Sequence, residues 1–417
     1  MEDIYVVGTG MTRFGKLPDC SVKDLTREAV NLALRDAGCG REAVQTAFFA
    51  NAGQGALEGQ FMIPGQLALR SCGFSGIPIV NVENACASAS TAFHLAWTQL
   101  RAGACDVALA IGAEKMLTPD KERNLSVFHG AWDVHDVQSV MSNLHLLSGN
   151  IRNPDAEEAS GPYSVFMDVY AALAKQHMRQ FGTTQRQFAA VASKNHRHSS
   201  FNPLSQYQRS MTVEEVLAAR KIAWPLTVPM CAPVSDGAAA AILCRKSALG
   251  RFSRSRAVKV CATVVASGSA RAPDEAAGHI CHRAAEKAYE QAGVGPNDMS
   301  VAEVHDATAV GEVIQSENLG LFAFGEGGPM AERGDSSLGG RIPINPSGGL
   351  ESKGHPIGAT GLGQIYELVT QLRGEAGARQ VQGARFAIAE NGGGFHGFEE
   401  AAACITILGK PEPDKRN

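Results

Sequence analysis

Short apolar runs alternate with amphipathic stretches of helical period along most of the chain. Ile4–Gly8 reads as a strand leaving into a glycine-containing turn. Val22–Ala37 has one apolar face and stops at Gly38, as a helix would. Ala47–Asn51 is a second short strand, and Gln66–Cys72 carries another helical pattern. The run Ile77-Pro78-Ile79-Val80 reads as a buried strand. After Asn84 the period turns helical again until Gly103, and a further strand covers Asp106–Gly112. Strands alternating with helices predict an α/β fold with a mainly parallel sheet.

The pattern repeats. Glu28–Ala52 aligns without a gap on Arg283–Ala307, 255 residues further on. Ala29, Ala33, Ala37, Gly38, Gly40, Ala47 and Ala52 fall on Ala284, Ala288, Ala292, Gly293, Gly295, Ala302 and Ala307. Thr98–Gly103 (TQLRAG) then answers to Thr370–Glu375 (TQLRGE), and the strand Val107–Gly112 to Phe386–Glu390. Three units in one order predict two topologically equivalent halves packed together. Between them the texture changes: residues 119–224 are richer in Asn, Gln, His and Met, with helical patterns at Val165–Phe181 and Gln185–Arg197. That length predicts an inserted cap over a site. The expected division is an amino half over 1–118 completed by 225–250, the inserted domain over 119–224, and a carboxyl half over 256–417. Ala401–Leu408 reads as the final strand.

Bulk properties narrow the function. The length of 417 residues allows two or three domains, and 44% apolar residues allow a large core. A net charge of −4, from 38 basic and 42 acidic residues, gives no reason to expect nucleic acid or an anionic membrane as partner. No apolar run is long enough for a membrane span. The opening MEDIYVVGTG has no secretory pattern, and the 10 cysteines include no C-x-x-C pair. Reduced cytoplasmic thiols are expected, with no metal site.

Candidate chemistry sits in four stretches. Cys86 lies where a strand turns into a helix, in its expected first turn, where free N–H groups and the helix dipole favour a thiolate. Taken alone, that stretch is equally explained by a buried structural cysteine. His355 lies in a glycine-rich loop, NPSGGLESKGHPIGATG (Asn345–Gly361), opening the helix that the repeat matches to the Cys86 helix. It is either a loop brace or the base that activates a nucleophile. His305 ends a second-half strand in Val304-His305-Asp306-Ala307. Glu390-Asn391-Gly392-Gly393-Gly394-Phe395-His396 follows the last matched strand, and its glycines form a simple turn or an oxyanion hole. His196 and His198, in KNHRHSSFNP, read as a solvated helix end with no role.

These stretches resemble the thiolase family. GHPIGATG matches its histidine loop, NACASAS around Cys86 its nucleophile loop, and CAPVSDGAAAAILC the strand closing its first half. The opening His305-Asp306, with NPSGGL and KNHRHSSFNP, is similar to the sterol-carrier-protein-type, or lipid-transfer, branch. The resemblance implies layered α-β-α-β-α halves and a thiolase-type acyltransferase. Cys86 would take the acyl group of a 3-oxoacyl-CoA, His355 would take its proton, and His305 with His355 would hold the enolate oxygen. The backbone N–H groups of Cys86 and Gly392 would form the oxyanion hole, and Gly354 and Gly358 would touch substrate. Coenzyme A enters as a substrate, with no permanently bound cofactor. A homodimer or tetramer is implied, and a zinc-ribbon/OB-fold partner protein is a further implication of the branch. The chain departs from the family where common thiolases carry a second reactive cysteine. Glu390 stands there, so Glu390 or His396 replaces it as acid/base, or the reaction is a coenzyme A-independent retro-aldol cleavage of a 3-hydroxyacyl-CoA.

Overall fold

The computed structural model describes residues 2–151, 153 and 163–410. The polar run at 150–164 falls largely outside these residues. In chain order the first part holds β1 (Ile4–Met11), α1 (Val22–Ala37), β2 (Thr46–Ala50), α2 (Gln54–Glu58), α3 (Pro64–Ser71), β3 (Ile79–Val82), α4 (Ser88–Arg101) and β4 (Val107–Glu114). Five helices follow: α5 (Lys121–Ser126), α6 (Val137–Ser148), α7 (Phe166–Phe181), α8 (Gln185–Ser199) and α9 (Val213–Leu217), before β5 (Gly237–Arg245). The last part holds β6 (Val258–Ser267), α10 (Ile280–Ala292), β7 (Val301–Glu303), α11 (Ala309–Asn318), α12 (Gly327–Arg333), α13 (Thr360–Arg373), β8 (Phe386–Gly393) and β9 (Ala402–Gly409).

The repeat is real in three dimensions. Ser21 and Asp24 close a capping box at the start of α1, and Gly38 ends the helix in the left-handed region at φ 67°. Gly293 ends α10 in the same way at φ 69°. Nine strands join in the order β3-β2-β4-β5-β1-β6-β9-β8-β7. Read outward from the central β1–β6 pair, each half runs through the same equivalents. The place of β3 beside β7 is reduced to one parallel bridge, Ala302 to Ile344.

The sheet is less parallel than the alternation of elements predicts. Only β2–β3, β2–β4 and β7–β8 pair in parallel, while β4–β5, β1–β5, β1–β6, β6–β9 and β8–β9 are antiparallel. The last strand of each half, β5 and β9, inserts antiparallel between its neighbours, a pairing that needs no crossover connection. The predicted buried strand at Ile77–Val80 is also displaced. It runs over Ile79–Val82 at the sheet edge, with Val80 43% exposed, because its outer side pairs with no strand among the described residues.

Layering follows from which faces are apolar. Phe93 and Leu100 of α4 and Leu362, Ile365 and Leu372 of α13 share one core with Val6, Ala108, Ala387 and Leu408 from both half-sheets. The two helices therefore form the middle layer. α1 covers the outer face of the first half through Ala29, Val30 and Ala33, and α10 that of the second through Ala284 and Ala288. The order is α-β-α-β-α. Small residues on the outer helices let them approach the sheet closely. Among the described residues no helix is long and apolar enough to cross a membrane.

Candidate active site

The parallel strands β2, β3, β7 and β8 end at one place, and the loops leaving them build the site, as open α/β sheets favour. Cys86 stands in the turn between β3 and α4. Ala85 there has φ 48°, a left-handed conformation that costs a non-glycine residue about 1–3 kcal/mol. The turn is held by Ala87 N–H donating to Asn84 O (2.9 Å). Ser88 Oγ accepts from Asn84 N–H (2.9 Å) and donates to Ala85 O (2.6 Å). The helix starts at Ser88, so Cys86 precedes it rather than occupying its first turn. The thiolate expected there is absent at rest. Burial first, then Glu114 and Glu83, push the Cys86 thiol up to about 12. Deprotonation needs a base in contact.

That base is at hand. Ligating atoms of Cys86, His305 and His355 lie within 4.8 Å of one another. The Thr360 hydroxyl donates to Pro356 O at 3.1 Å, so its oxygen accepts from His355 Nδ1–H at 2.7 Å. We assign His355 a free lone pair on Nε2. His305 is fixed the other way. The Ser90 hydroxyl lies 2.8 Å from Asn391 Oδ1 and 2.9 Å from Ala87 O; we assign its proton to Asn391, which turns the Asn391 amide NH2 toward His305 Nδ1 (3.0 Å). The proton of His305 is then on Nε2. Burial lowers the pKa of both rings, to about 4 for His305 and well below the ordinary value for His355, so both are neutral at pH 7. A Cys-His-His set could also hold a zinc-type ion. Such an ion needs a lone pair from each ring, whereas these partners leave a proton on one and a lone pair on the other.

A buried polar scaffold holds the histidine loops. Asp306 accepts from Leu350 N–H (2.7 Å) and Asn195 Nδ2 (3.1 Å). A β-carbon on Gly349, at φ 61°, would stand 2.0 Å from Asp306 Oδ2, so only glycine fits. His196 and His198, read from sequence as solvated, are 4% and 1% exposed. His198 Nδ1 faces Asn345 O (3.0 Å) and its Nε2 accepts from Leu338 N–H (3.1 Å). His196 meets Pro229 O (3.2 Å) and Ser352 Oγ (3.1 Å). Their polarity suits loop carbonyls and amides in the interior, not water. Segment 231–235 bridges the two loops, with Cys231 paired to Thr308 and Val234 to His355.

Other expected residues lie elsewhere. Glu390 is fully buried behind His305, accepting its backbone N–H at 2.8 Å and the Cys281 thiol at 3.4 Å; burial and Glu400 raise its pKa to about 8. His396 is exposed, in a turn bridged to Glu399. Neither is on the cavity wall, because β8 alternates its faces and the chain then turns outward. Gly354 and Gly358 are buried behind His355. A β-carbon there would meet Ser235 Oγ at 2.8 Å and Glu114 Oε2 at 2.6 Å respectively, so these glycines let the loop close on its scaffold. Gly392 does border the cavity beside Cys86, His305 and His355. The residues missed from sequence are Thr360, Asn391, Ser90 and Glu400. Asn391 lay inside the flagged glycine run, and Glu399-Glu400 stood out as two acids directly before an apolar strand.

The cavity has a volume of about 710 Å³. Phe61, Phe128, Phe166, Tyr163 and Tyr170 line it together with Cys86, His305 and His355.

Comparisons with known proteins bear on the family and the fold. The family model "Thiolase, N-terminal domain" matches residues 4–247, and "Thiolase C-terminal domain-like" matches residues 263–410. The chain is 38% identical to sterol carrier protein 2 of Bos taurus over 98% of its own length and 75% of the relative. It is 36% identical to an acetyl-CoA acetyltransferase of Methanothermobacter thermautotrophicus, over 95% of this chain and 98% of that one. Its fold superposes on the Ltp2-ChsH2(DUF35) aldolase with a TM-score of 0.77 at 21% identity, covering 99% of each chain. On human mitochondrial 3-ketoacyl-CoA thiolase in complex with CoA the TM-score is 0.66 at 17% identity, covering 98% of each chain.

Proposed function

The chain belongs to the thiolase family, and on that premise we propose that it cleaves a 3-oxoacyl-CoA with coenzyme A through an acyl-Cys86 intermediate, or runs the reverse condensation. The observation that carries this reading is the grouping of Cys86, His305 and His355 within 4.8 Å with opposite tautomers on the two rings. His355 Nε2 takes the Cys86 proton as the sulfur adds to the 3-keto carbonyl. The Cys86 N–H and a backbone N–H near Gly392 receive the oxyanion. The carbon–carbon pair then leaves as an enolate whose oxygen accepts from His305 Nε2–H. Coenzyme A brings the thiol that removes the acyl group and is a substrate here, not a resident cofactor. Residues 119–224 act as a cap, contributing Phe128, Phe166 and Tyr170 to the acyl pocket.

Mass spectrometry of the intact protein with a panel of acyl-CoAs, before and after iodoacetamide, tests the reading. An acyl-sized mass gain on Cys86 that alkylation blocks is expected. Its absence with every acyl-CoA, despite an alkylatable Cys86, would sink it.

A second reading is a coenzyme A-independent retro-aldol lyase on a 3-hydroxyacyl-CoA. It is favoured by the place of Glu390 and His396 away from the cavity, which leaves neither to act as the second acid/base, and by likeness to a solved aldolase. Cleavage that ignores Cys86 alkylation and added coenzyme A would select it. The two-component name of that aldolase also motivates a partner protein for this chain, of zinc-ribbon/OB-fold type. Activity that appears only on co-expression with such a protein supports this. A homodimer or tetramer is proposed from the unpaired edge of β3, where Val80, Leu67 and Ile63 are exposed. Light scattering coupled to size exclusion measures it.

A further inference from the structure

Making or breaking a bond to the carbon beside a thioester requires a group that exchanges a proton with that carbon. His355 serves Cys86, and His305 presents a donor. Among the described residues two carboxylates line the cavity, Glu83 and Glu400; Glu83 is exposed and accepts from Ala85 N–H (2.5 Å) in the turn that carries Cys86, which leaves Glu400. Its neighbour Glu399 shows what a structural carboxylate looks like here. Glu399 accepts from Ser269 N–H (2.6 Å), Ile280 N–H (2.8 Å) and Arg271 Nε (2.9 Å), and is fully engaged. Glu400 turns the other way, across Gly392, whose missing β-carbon would stand 2.7 Å from its Cγ. The glycine makes room for the carboxylate to reach the cavity.

Its surroundings hold it without using it up. Oε1 accepts from Gln315 Nε2 at 2.7 Å. Oε2 is buried and faces His279 Nε2 at 3.2 Å, while the side chain as a whole stays 16% exposed. His279 Nδ1 accepts from Cys281 N–H (3.2 Å) and Asn318 Nδ2 (3.1 Å), so its proton sits on Nε2 facing Glu400. Burial works to raise the Glu400 pKa, but His279 and, more weakly, His305 outweigh it and bring it to about 2. The carboxylate is therefore ionised, and the exposed part of its side chain lies on the cavity wall.

We infer that Glu400 is the catalytic base that removes the proton from the substrate carbon alpha to the thioester, and returns it in the reverse direction. The inference rests on reading the cavity as a CoA-thioester site. A Glu400 oxygen takes the α-proton, and the C–H electron pair becomes the carbon–carbon double bond of an enolate. The carbonyl π pair moves onto the thioester oxygen, which accepts from His305 Nε2–H. In condensation the enolate carbon attacks acyl-Cys86. In cleavage the carbon–carbon pair becomes the enolate, and its carbon takes, through Glu400, the proton that Cys86 gave up to His355; the coenzyme A thiol returns a proton to Cys86 as it takes the acyl group.

Deuterium exchange at the α-carbon of a panel of acyl-CoAs in D2O, followed by mass spectrometry, isolates this step because no carbon–carbon bond changes. The native chain exchanges, and Glu400→Gln slows exchange by about 100-fold or more while Cys86 is still acylated. Cys86→Ala loses acylation and keeps exchange, so failure of the acyl-enzyme reading is separable from failure of this one. Exchange that persists in Glu400→Gln, or is lost instead in Tyr170→Phe, overturns the assignment, as does a native chain that exchanges with no member of the panel. Should Glu400→Gln fail to fold, His279→Gln decides. It is expected to move the acid limb of the exchange profile to higher pH, and an unmoved limb overturns the proposal.

Discussion

His305 and His355 meet edge to face, with ring centroids 5.2 Å apart and planes at 84°, and carry their protons on opposite nitrogens. The proposed mechanism gives these two chemically identical side chains different tasks. The difference comes from one hydroxyl and one amide behind them.

That division predicts a split between variants. His355→Ala should slow acylation of Cys86 by simple acyl-CoAs by about 10²–10⁴-fold, the usual worth of a positioned base. His305→Ala should acylate at close to the native rate but lose carbon–carbon cleavage. Rapid-quench mass spectrometry beside a cleavage assay measures both, and equal loss of the two steps in both variants contradicts the assignment.

Asn391 should matter through His305 alone. Asn391→Ala removes the donor to Nδ1 and frees the other tautomer, so cleavage should fall about tenfold or more with acylation retained. Its unfolding free energy should drop by only what one or two buried hydrogen bonds contribute, about 1–3 kcal/mol. A nitrogen NMR spectrum of the imidazoles reports the tautomer directly.

The resting Cys86 thiol is predicted to be sluggish. With a pKa near 12, its alkylation rate in the ligand-free protein should climb about tenfold per pH unit through pH 8 to 10, without levelling near the ordinary cysteine value. Peptide mapping after timed iodoacetamide pulses follows the site. A plateau below pH 9 would show that the turn does stabilise a thiolate.

Acid sensitivity follows from the same histidines. Burial depresses both folded-state pKa values, that of His305 from 6.5 to about 4. The folded state therefore binds fewer protons than the unfolded chain across that window. The stability involved is fully present above about pH 6.5 and is lost as pH falls toward 4. Thermal midpoints between pH 4 and 7 should decline less steeply in His305→Asn than in the native chain, and parallel curves would remove His305 from the account.

Gly349 should tolerate nothing larger. Alanine there meets the Asp306 carboxylate and a positive φ together, so Gly349→Ala should destabilise by several kcal/mol and displace His355. Calorimetry measures the first effect, and loss of Cys86 acylation the second.

Much of this could be read in the chain before any coordinates. Glycines at 38 and 293 punctuate two helices of like pattern, and that offset exposed the duplication. Cys86 announced itself among small residues after an apolar run, His355 in a glycine-rich loop, and His305 at the end of an apolar strand. What escaped depends on contacts between distant segments. Asn391 and Ser90 are 301 positions apart, and their hydrogen bond gives Asn391 its meaning. His196 and His198 look solvated because their partners lie about 30 to 160 positions away on other loops. Glu390 and Glu400 look interchangeable in sequence. The pleat of β8 and the return into β9 decide which one reaches the cavity.

The seam between α4 and α13 separates the bearer of the nucleophile from the bearer of its base. On the proposed mechanism each repeat alone holds half a reaction, as in an enzyme whose active site is shared between two subunits, except that here one peptide chain fixes the stoichiometry. Once joined, the two copies were free to specialise, one loop toward attack and the other toward handling protons. A side chain swapped between matched positions of the repeat should therefore never restore activity, however well it fits.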